Sequence, residues 1–318
     1  MIQSLQTLMQ KIQKRLRTVQ ISSESIPGFA LFISFVILAF FSLIFDFVFS
    51  GSQRVGVILS EIIAFGVPTV LLLLLPRYIP DQPKLNLRFN LGKSKFNGGL
   101  WFTIKFALML SFLSFLVNLL IYAVSGSNTF EMSGMMGNML IRSGSNFAVF
   151  LAVSAIPALT EELFVRGALF SRFEREADTV VCILCSGLCF AMLHGSLINF
   201  AGPFIAGCGY AYLTYSYRSI WPAVLAHAIN NLYYLIVNYL LNLYSSFGIW
   251  NYFTHISIIL FLLSLYFTLR SYEYQIERRA LHPFVKSSIP VAQQLRTVLL
   301  NPGMLLFAAA FLIHIIIG

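Results

Sequence analysis

Charge is scarce in this sequence. Of its 318 residues, 10% are charged, where a soluble domain carries about a quarter. Hydrophobic residues make up 58% and the mean hydropathy is +0.80. A water-soluble globular domain is excluded, and an all-α, polytopic transmembrane helical bundle is the expected fold. Acidic residues number only 12, so an acid inside an apolar run stands out. Cysteine is rare too. Cys182, Cys185, Cys189 and Cys208 all lie in apolar segments, which argues against a disulfide framework and leaves the redox compartment unread. The first three share one helix face. Their spacing has the look of a metal-binding Cys-x-x-Cys, but small residues at a helix–helix contact account for it more simply. No nucleic-acid motif is present, and the net charge of +9 is spread over short loops, so no nucleic-acid partner is expected. No small-x-small cleavage pattern follows the N-terminal region, so a signal peptide is not expected. No internal repeat is visible, which weighs against a transporter.

What is present is a series of apolar runs. A span needs roughly 20 apolar residues, and eight candidates fall at about 28–50, 54–76, 100–124, 143–165, 179–195, 198–217, 220–243 and 249–269. A shorter apolar tail, 303–317, could span, re-enter or lie at the interface. Residues 1 to about 20 read as an amphipathic helix, with Ile2, Leu5, Leu8, Met9, Ile12 and Leu16 at helical spacing and Lys11, Lys14, Arg15 and Arg17 beside them. Such a helix suits a membrane surface. With the N-terminus inside, all but three of the 21 basic residues (Arg54, Lys105 and Arg142) fall on the inner side, as the positive-inside rule requires. The expected location is a bacterial cytoplasmic membrane. Four regions follow: a cytoplasmic segment 1–27, accessory helices 28–142, a core 143–243, and a C-terminal helix and tail 244–318. The outer loop 125–142 is rich in Gly, Ser, Asn and Met.

Three pieces of the core carry chemistry. The first is Glu161-Glu162-x-x-x-Arg166. Glu162 and Arg166 are an i,i+4 pair in the favourable order, so the arginine can hold Glu162 in direction. Glu161 lies about 100° round the helix and is free for water or metal. Ionisable groups at membrane depth are costly and need a reason; the bland alternative is a helix end surfacing at the cytoplasmic interface. The second piece is Phe190-x-x-x-His194, where Phe190 can wall a site that His194 enters. A lone intramembrane histidine is also a common hydrogen-bonder between helices. The third is His227-x-x-x-Asn231. Its imidazole and carboxamide share one helix face and offer two donors to an oxyanion, or form an interhelical clamp. Asn230 points elsewhere. Asp46, Glu61 and Lys105 are further intramembrane ionisable residues, for which structural pairing or a loop edge is expected. His255 and His314 show no partner in the sequence.

Together these three motifs, and the run Tyr217-Arg-Ser-Ile-Trp-Pro-Ala-Val-Leu-Ala-His227, resemble the CPBP family, the CAAX prenyl endopeptidases and bacteriocin-processing enzymes also called the Abi family. The resemblance covers about 143–243 and shows no departure at a motif position. It implies an intramembrane endopeptidase that is neither a serine nor a cysteine protease. Glu161 and His194 would activate a water, His227 and Asn231 would stabilise the oxyanion, and Glu162 and Arg166 would orient the site. Family members in eukaryotes cut prenylated CAAX tails. Here a membrane-associated peptide or protein precursor is the expected substrate, with the lipid bilayer as the other partner.

Two questions stay open in the sequence. Glu161, His194 and His227 form a ligand set typical of catalytic zinc, but no His-Glu-x-x-His helix occurs, and a cofactor-free glutamate–histidine site is the preferred reading. His194, at the far end of its span, should also lie deeper than Glu161. Either that span starts well inside the membrane, or the helix carrying Glu161 breaks near Pro157. A non-catalytic alternative, a membrane binding or bacteriocin-immunity protein on the same fold, predicts a phenotype insensitive to Glu161 and His194.

Overall fold

The computed structural model describes residues 22–48, 53–78, 85–90, 93–125, 154–243 and 247–317. The expected N-terminal amphipathic helix, the loop 125–142 beyond Ser125, the first part of the fourth span and the Asp46 side chain lie outside the described residues. After a 3-10 turn at Ser23–Ser25, the chain forms α1 (Ile26–Val48), α2 (Gln53–Tyr78) and α3 (Lys93–Ser125). Next, α4 (Ile156–Glu162) runs without a break through a π-helical stretch, Leu163–Leu169, into α5 (Phe170–Glu176). There follow α6 (Thr179–Leu193), α7 (Ala201–Tyr217), α8 (Trp221–Leu243), α9 (Phe247–Glu277), α10 (Val291–Leu299) and α11 (Pro302–Ile317). The described residues contain no strand. The all-α class follows from composition, because in lipid a backbone must satisfy its polar groups within its own segment.

Four helical stretches are long and apolar enough to cross a bilayer: Ser23–Phe41, Ile58–Arg77, Gly99–Ser125 and Tyr252–Glu277. The tail supplies a fifth if α10 and α11, bent by 68° at Asn301, are taken together. Eight full-length spans are therefore more than the described residues support. The expected spans at 179–195 and 198–217 are helices of 15 and 17 residues, too short to cross alone. Asp178 starts α6 by accepting from the Val181 N–H. The Gly195 turn, at φ +64°, stops it on the other side of His194. The outer face of α9 exposes Tyr252, Ile256, Ile259, Leu262, Leu263 and Tyr266, an apolar surface of the kind that lipid covers. The protein is an integral membrane protein.

The α4–α5 helix is flanked by α2, α8 and α6. Helix α7 packs along α6, α3 and α8, and α9 lies against α3. On the other flank α1 pairs with α11, and α1 also contacts α2 and α6. The α1–α11 crossing depends on two glycines. A Cβ on Gly28 would sit 2.1 Å from the Gly303 carbonyl carbon, and one on Gly303 would sit 2.0 Å from the Ser25 oxygen. At the end where α5 turns into α6, the segment after α9 ties the bundle together. The His282 N–H donates to the Ser216 oxygen at 2.9 Å, and the Thr179 N–H donates to the Val285 oxygen at 3.1 Å. Glu174 pairs there with both Arg88 and Arg218. Burial lowers the Arg88 guanidinium from its ordinary value, and the Glu174 carboxylate works against that shift.

Candidate active site

The turn between α5 and α6 resolves the depth question. Glu161 lies as many residues before Glu176 as His194 lies after Thr179, and only a short turn joins the two helices. At 1.5 Å per residue both fall about 22 Å from that turn. The helix carrying Glu161 does not break at Pro157, which sits in its first turn, where proline is tolerated. Helix α6 is simply short, and it ends at the level of the site.

Glu162 and Arg166 are wholly buried and joined at 3.0 Å, Arg166 Nη1 donating to Glu162 Oε1. The pair straddles the junction with the π-helical stretch, a local widening often found at functional sites. Arg166 Nη2 also donates to the Gly207 carbonyl on α7, at 2.7 Å. Gly207 permits this approach: a Cβ there would lie 3.2 Å from Arg166 Nη2 and 3.1 Å from a Phe190 ring carbon. Glu162 Oε1 has a second partner, His227 Nδ1 on α8, at 2.9 Å. A carboxylate accepting at Nδ1 fixes the ring direction, and Nε2 faces away from it. The first and third motifs thus meet on one carboxylate oxygen. The other oxygen, Oε2, is buried without a hydrogen-bond partner among the described residues.

Phe190 joins the second motif to the other two. Its ring lies 4.8 Å from His194 and 5.4 Å from His227, edge to face. The Arg166 guanidinium stands 4.5 Å over it. His194 donates through Nδ1 to the Phe190 carbonyl, 2.8 Å away. A carbonyl can only accept, so Nδ1 carries the hydrogen and Nε2 is left with its lone pair. His194 is exposed while His227 is buried, so the His194 side of the site is the accessible one.

The remaining members are held less tightly. Glu161 is half-buried, and among the described residues it has no hydrogen-bond or ion-pair partner; Glu162 and Arg166 lie within electrostatic reach of it. No hydrogen bond joins Glu161 to His194 or His227. Asn231 Nδ2 reaches the Ser154 carbonyl at 3.5 Å, a long contact, and Ser154 is itself held by its hydroxyl donating to the Ala228 carbonyl at 2.8 Å. Asn230 leaves its side-chain oxygen buried without a partner. Among the described residues no group of three His, Cys, Asp or Glu side chains is placed to hold a metal ion. Glu161, His194 and His227 are not gathered into such a group.

One site residue carries no signal in the sequence. Tyr210 stacks on the His227 ring at 5.0 Å with 17° between planes, and Arg166 stands 5.5 Å over it. Its buried hydroxyl has no partner among the described residues. It belongs to no motif, and only the crossing of α7 over α8 brings it in. Of the residues expected to be structural, Lys105 donates to Ser271 at 2.7 Å. His314, for which the sequence showed no partner, packs edge-on against Phe35 at 5.5 Å. Cys182, Cys185 and Cys189 are buried free thiols.

Residues 142–233 match the family model described as type II CAAX prenyl endopeptidase Rce1-like, and the rest of the 318 residues lie outside the match. No curated protein and no solved structure matches the chain. The segment that carries all three motifs is similar to the Rce1-like type II CAAX prenyl endopeptidases.

Proposed function

We propose that the protein is an intramembrane endopeptidase that hydrolyses a peptide bond in a membrane-associated peptide or protein. The observation that carries this reading is the convergence of three sequence-distant motifs on Phe190, with Arg166 at 4.5 Å, His194 at 4.8 Å and His227 at 5.4 Å. The family-model match over residues 142–233 supports peptidase activity in general; the roles below are derived from the side chains.

Glu161, unpaired and half-exposed, is the acceptor for a proton of the attacking water. His194 presents the Nε2 lone pair on the open side and helps to hold that water. The water oxygen attacks the scissile carbonyl carbon, and the carbonyl oxygen becomes an oxyanion. Asn231 and His227 are its donors. With Glu162 accepting from Nδ1, His227 donates through Nε2 when both ring nitrogens carry hydrogen. Glu162 balances that charge, much as a buried carboxylate orients a catalytic histidine elsewhere. Arg166 holds Glu162, and Phe190 and Tyr210 enclose the His227 ring and keep bulk water out. The proton on Glu161 then passes to the leaving amine as the C–N bond breaks. No step uses a metal.

The test is an inventory of new N-termini in membranes from cells expressing the wild type or Glu161→Gln at equal levels. Termini present only with the wild type would establish proteolysis and name the substrate. Identical inventories would overturn the reading in favour of a binding protein.

A further inference from the structure

Glu61 is an intramembrane acid that the mechanism leaves unused. It sits on α2, which packs along α4 and the π-helical stretch. Phe65, one turn further on, meets Phe164 with ring centroids 5.9 Å apart. That contact sets the register of two helices running in the same direction. One turn back from Phe65 is Glu61, and about one turn back from Phe164 is Glu161. The two carboxyl groups accordingly lie within electrostatic reach of each other. Glu61 Oε2 is buried and has no hydrogen-bond partner among the described residues. No salt bridge to Glu61 occurs among the described residues. The charged groups around Glu161 are Glu61 from α2 and Glu162 and Arg166 from its own helix, and Arg166 is committed to Glu162 and Gly207. The two histidines of the site, from α6 and α8, are held by Phe190 and Glu162.

We propose that Glu61 is a positioning residue of the active site, its carboxyl group sharing one proton with Glu161 and aiming that carboxylate at the attacking water. The proposal rests on the endopeptidase reading. Two carboxylates within electrostatic reach of each other in low dielectric, where Arg166 is committed to Glu162 and Gly207, do not both carry charge. One shared proton removes that conflict and supplies the partner that Glu61 Oε2 lacks. The bookkeeping closes over a turnover. The pair begins with one proton. Water adds its hydroxyl to the scissile carbon and gives its second hydrogen to the pair. The C–N bond breaks, the leaving nitrogen takes a proton from the pair, and the pair again holds one.

The test uses the full chain in lipid, with Glu61→Gln, Glu61→Asp and Glu161→Gln beside the wild type. Glu61→Gln keeps the shape and loses the exchangeable acid. On a substrate named by the N-terminus inventory, it should lower kcat about a hundredfold, the scale of one proton-transfer group, with KM unchanged. Glu61→Asp should recover activity above the glutamine variant. A packing role predicts the reverse order, with glutamine near wild type and aspartate worse, and that order would overturn the proposal. Infrared difference spectra supply a readout that needs no turnover. The band of a protonated carboxyl should disappear in Glu61→Gln and in Glu161→Gln alike, and its persistence in either would also overturn the sharing. Should wild type and Glu161→Gln give the same inventory, the protease reading fails and the infrared result alone decides whether the pair exists.

Discussion

Glu162 Oε1 receives two hydrogen bonds, 3.0 Å from Arg166 Nη1 and 2.9 Å from His227 Nδ1. Glu161, its neighbour in sequence, receives none among the described residues. The two adjacent carboxylates therefore differ in what their loss should do. Glu162→Ala removes the counter-charge of a wholly buried arginine and should destabilise the protein by about 3–5 kcal/mol. Glu161→Gln should leave the unfolding temperature in detergent nearly unchanged while abolishing cleavage. Thermal unfolding of both variants, followed by tryptophan fluorescence, checks the contrast. Equal loss of stability would mean that Glu161 also holds the fold.

The arginine is equally specific. Its two terminal nitrogens serve two acceptors at once, Glu162 and the Gly207 carbonyl, and its plane lies over Phe190 and Tyr210. A lysine has one charged nitrogen and no plane to stack. Arg166→Lys should therefore behave like a deletion, with cleavage lost and stability reduced. Activity near wild type in that variant would show that charge alone is sufficient.

Much of this site was legible in the sequence because its residues stand at helical spacings: Glu162 to Arg166, Phe190 to His194, and His227 to Asn231. A spacing of i,i+4 is a statement about one helix face and survives any tertiary arrangement. What spacing does not carry is which helix crosses which. Tyr210 and Glu61 join the site through the packing of α7 on α8 and of α2 on α4, and neither has a motif. The eight apolar runs outnumber the four or five candidate spans among the described residues for a related reason. Hydropathy marks where a chain is apolar, and it ran through His194 and Gly195 as if α6 were long enough to cross. The backbone turns there, at φ +64°, and the helix stops at the level of Glu161. The same short helix dissolves the conflict in depth that the apolar runs suggested.

Gly207 is a close-approach glycine inside the site, in contrast to Gly28 and Gly303, which serve a crossing outside it. Gly207→Ala would place a methyl 3.2 Å from Arg166 Nη2, 3.1 Å from Phe190 and 3.1 Å from the Gly187 Cα. Overpacking of this kind costs about 1–3 kcal/mol, and here it also displaces the arginine that fixes Glu162. Gly303→Ala should cost stability through the α1–α11 contact, where the obstacle is backbone at 2.0 Å, without changing kcat. Kinetics and thermal unfolding on the pair separate the two: loss of kcat in Gly303→Ala would contradict this division.

The arrangement also makes a prediction about metal. The proposed mechanism activates water with Glu161 and His194 alone, and among the described residues no three candidate ligands are placed to hold a metal ion. Dialysis against EDTA should leave cleavage at its initial rate, and added zinc should not raise it. Activity lost to EDTA and restored by zinc would require Glu161, His194 and His227 to draw together and the mechanism to be rewritten.

Phe190 is the residue that all three motifs touch, so its replacement tests the site as a unit. Its ring is buried at 2% exposure and contacts Arg166, His194 and His227 through different parts of its surface. Phe190→Ala removes a buried aromatic, and a cost of about 3–5 kcal/mol is expected; that result alone would say little about function. Phe190→Leu is the sharper experiment. It keeps most of the apolar volume and discards the face on which the guanidinium rests, a desolvated contact of about 2 kcal/mol. It also removes the edge-to-face support of both imidazoles. Cleavage should fall further than stability does, because the two histidines lose their fixed orientation while the fold keeps its filling. A Phe190→Leu protein with full activity and reduced stability would reduce Phe190 to a core residue and leave the site to be defined by Glu162 and His227 alone.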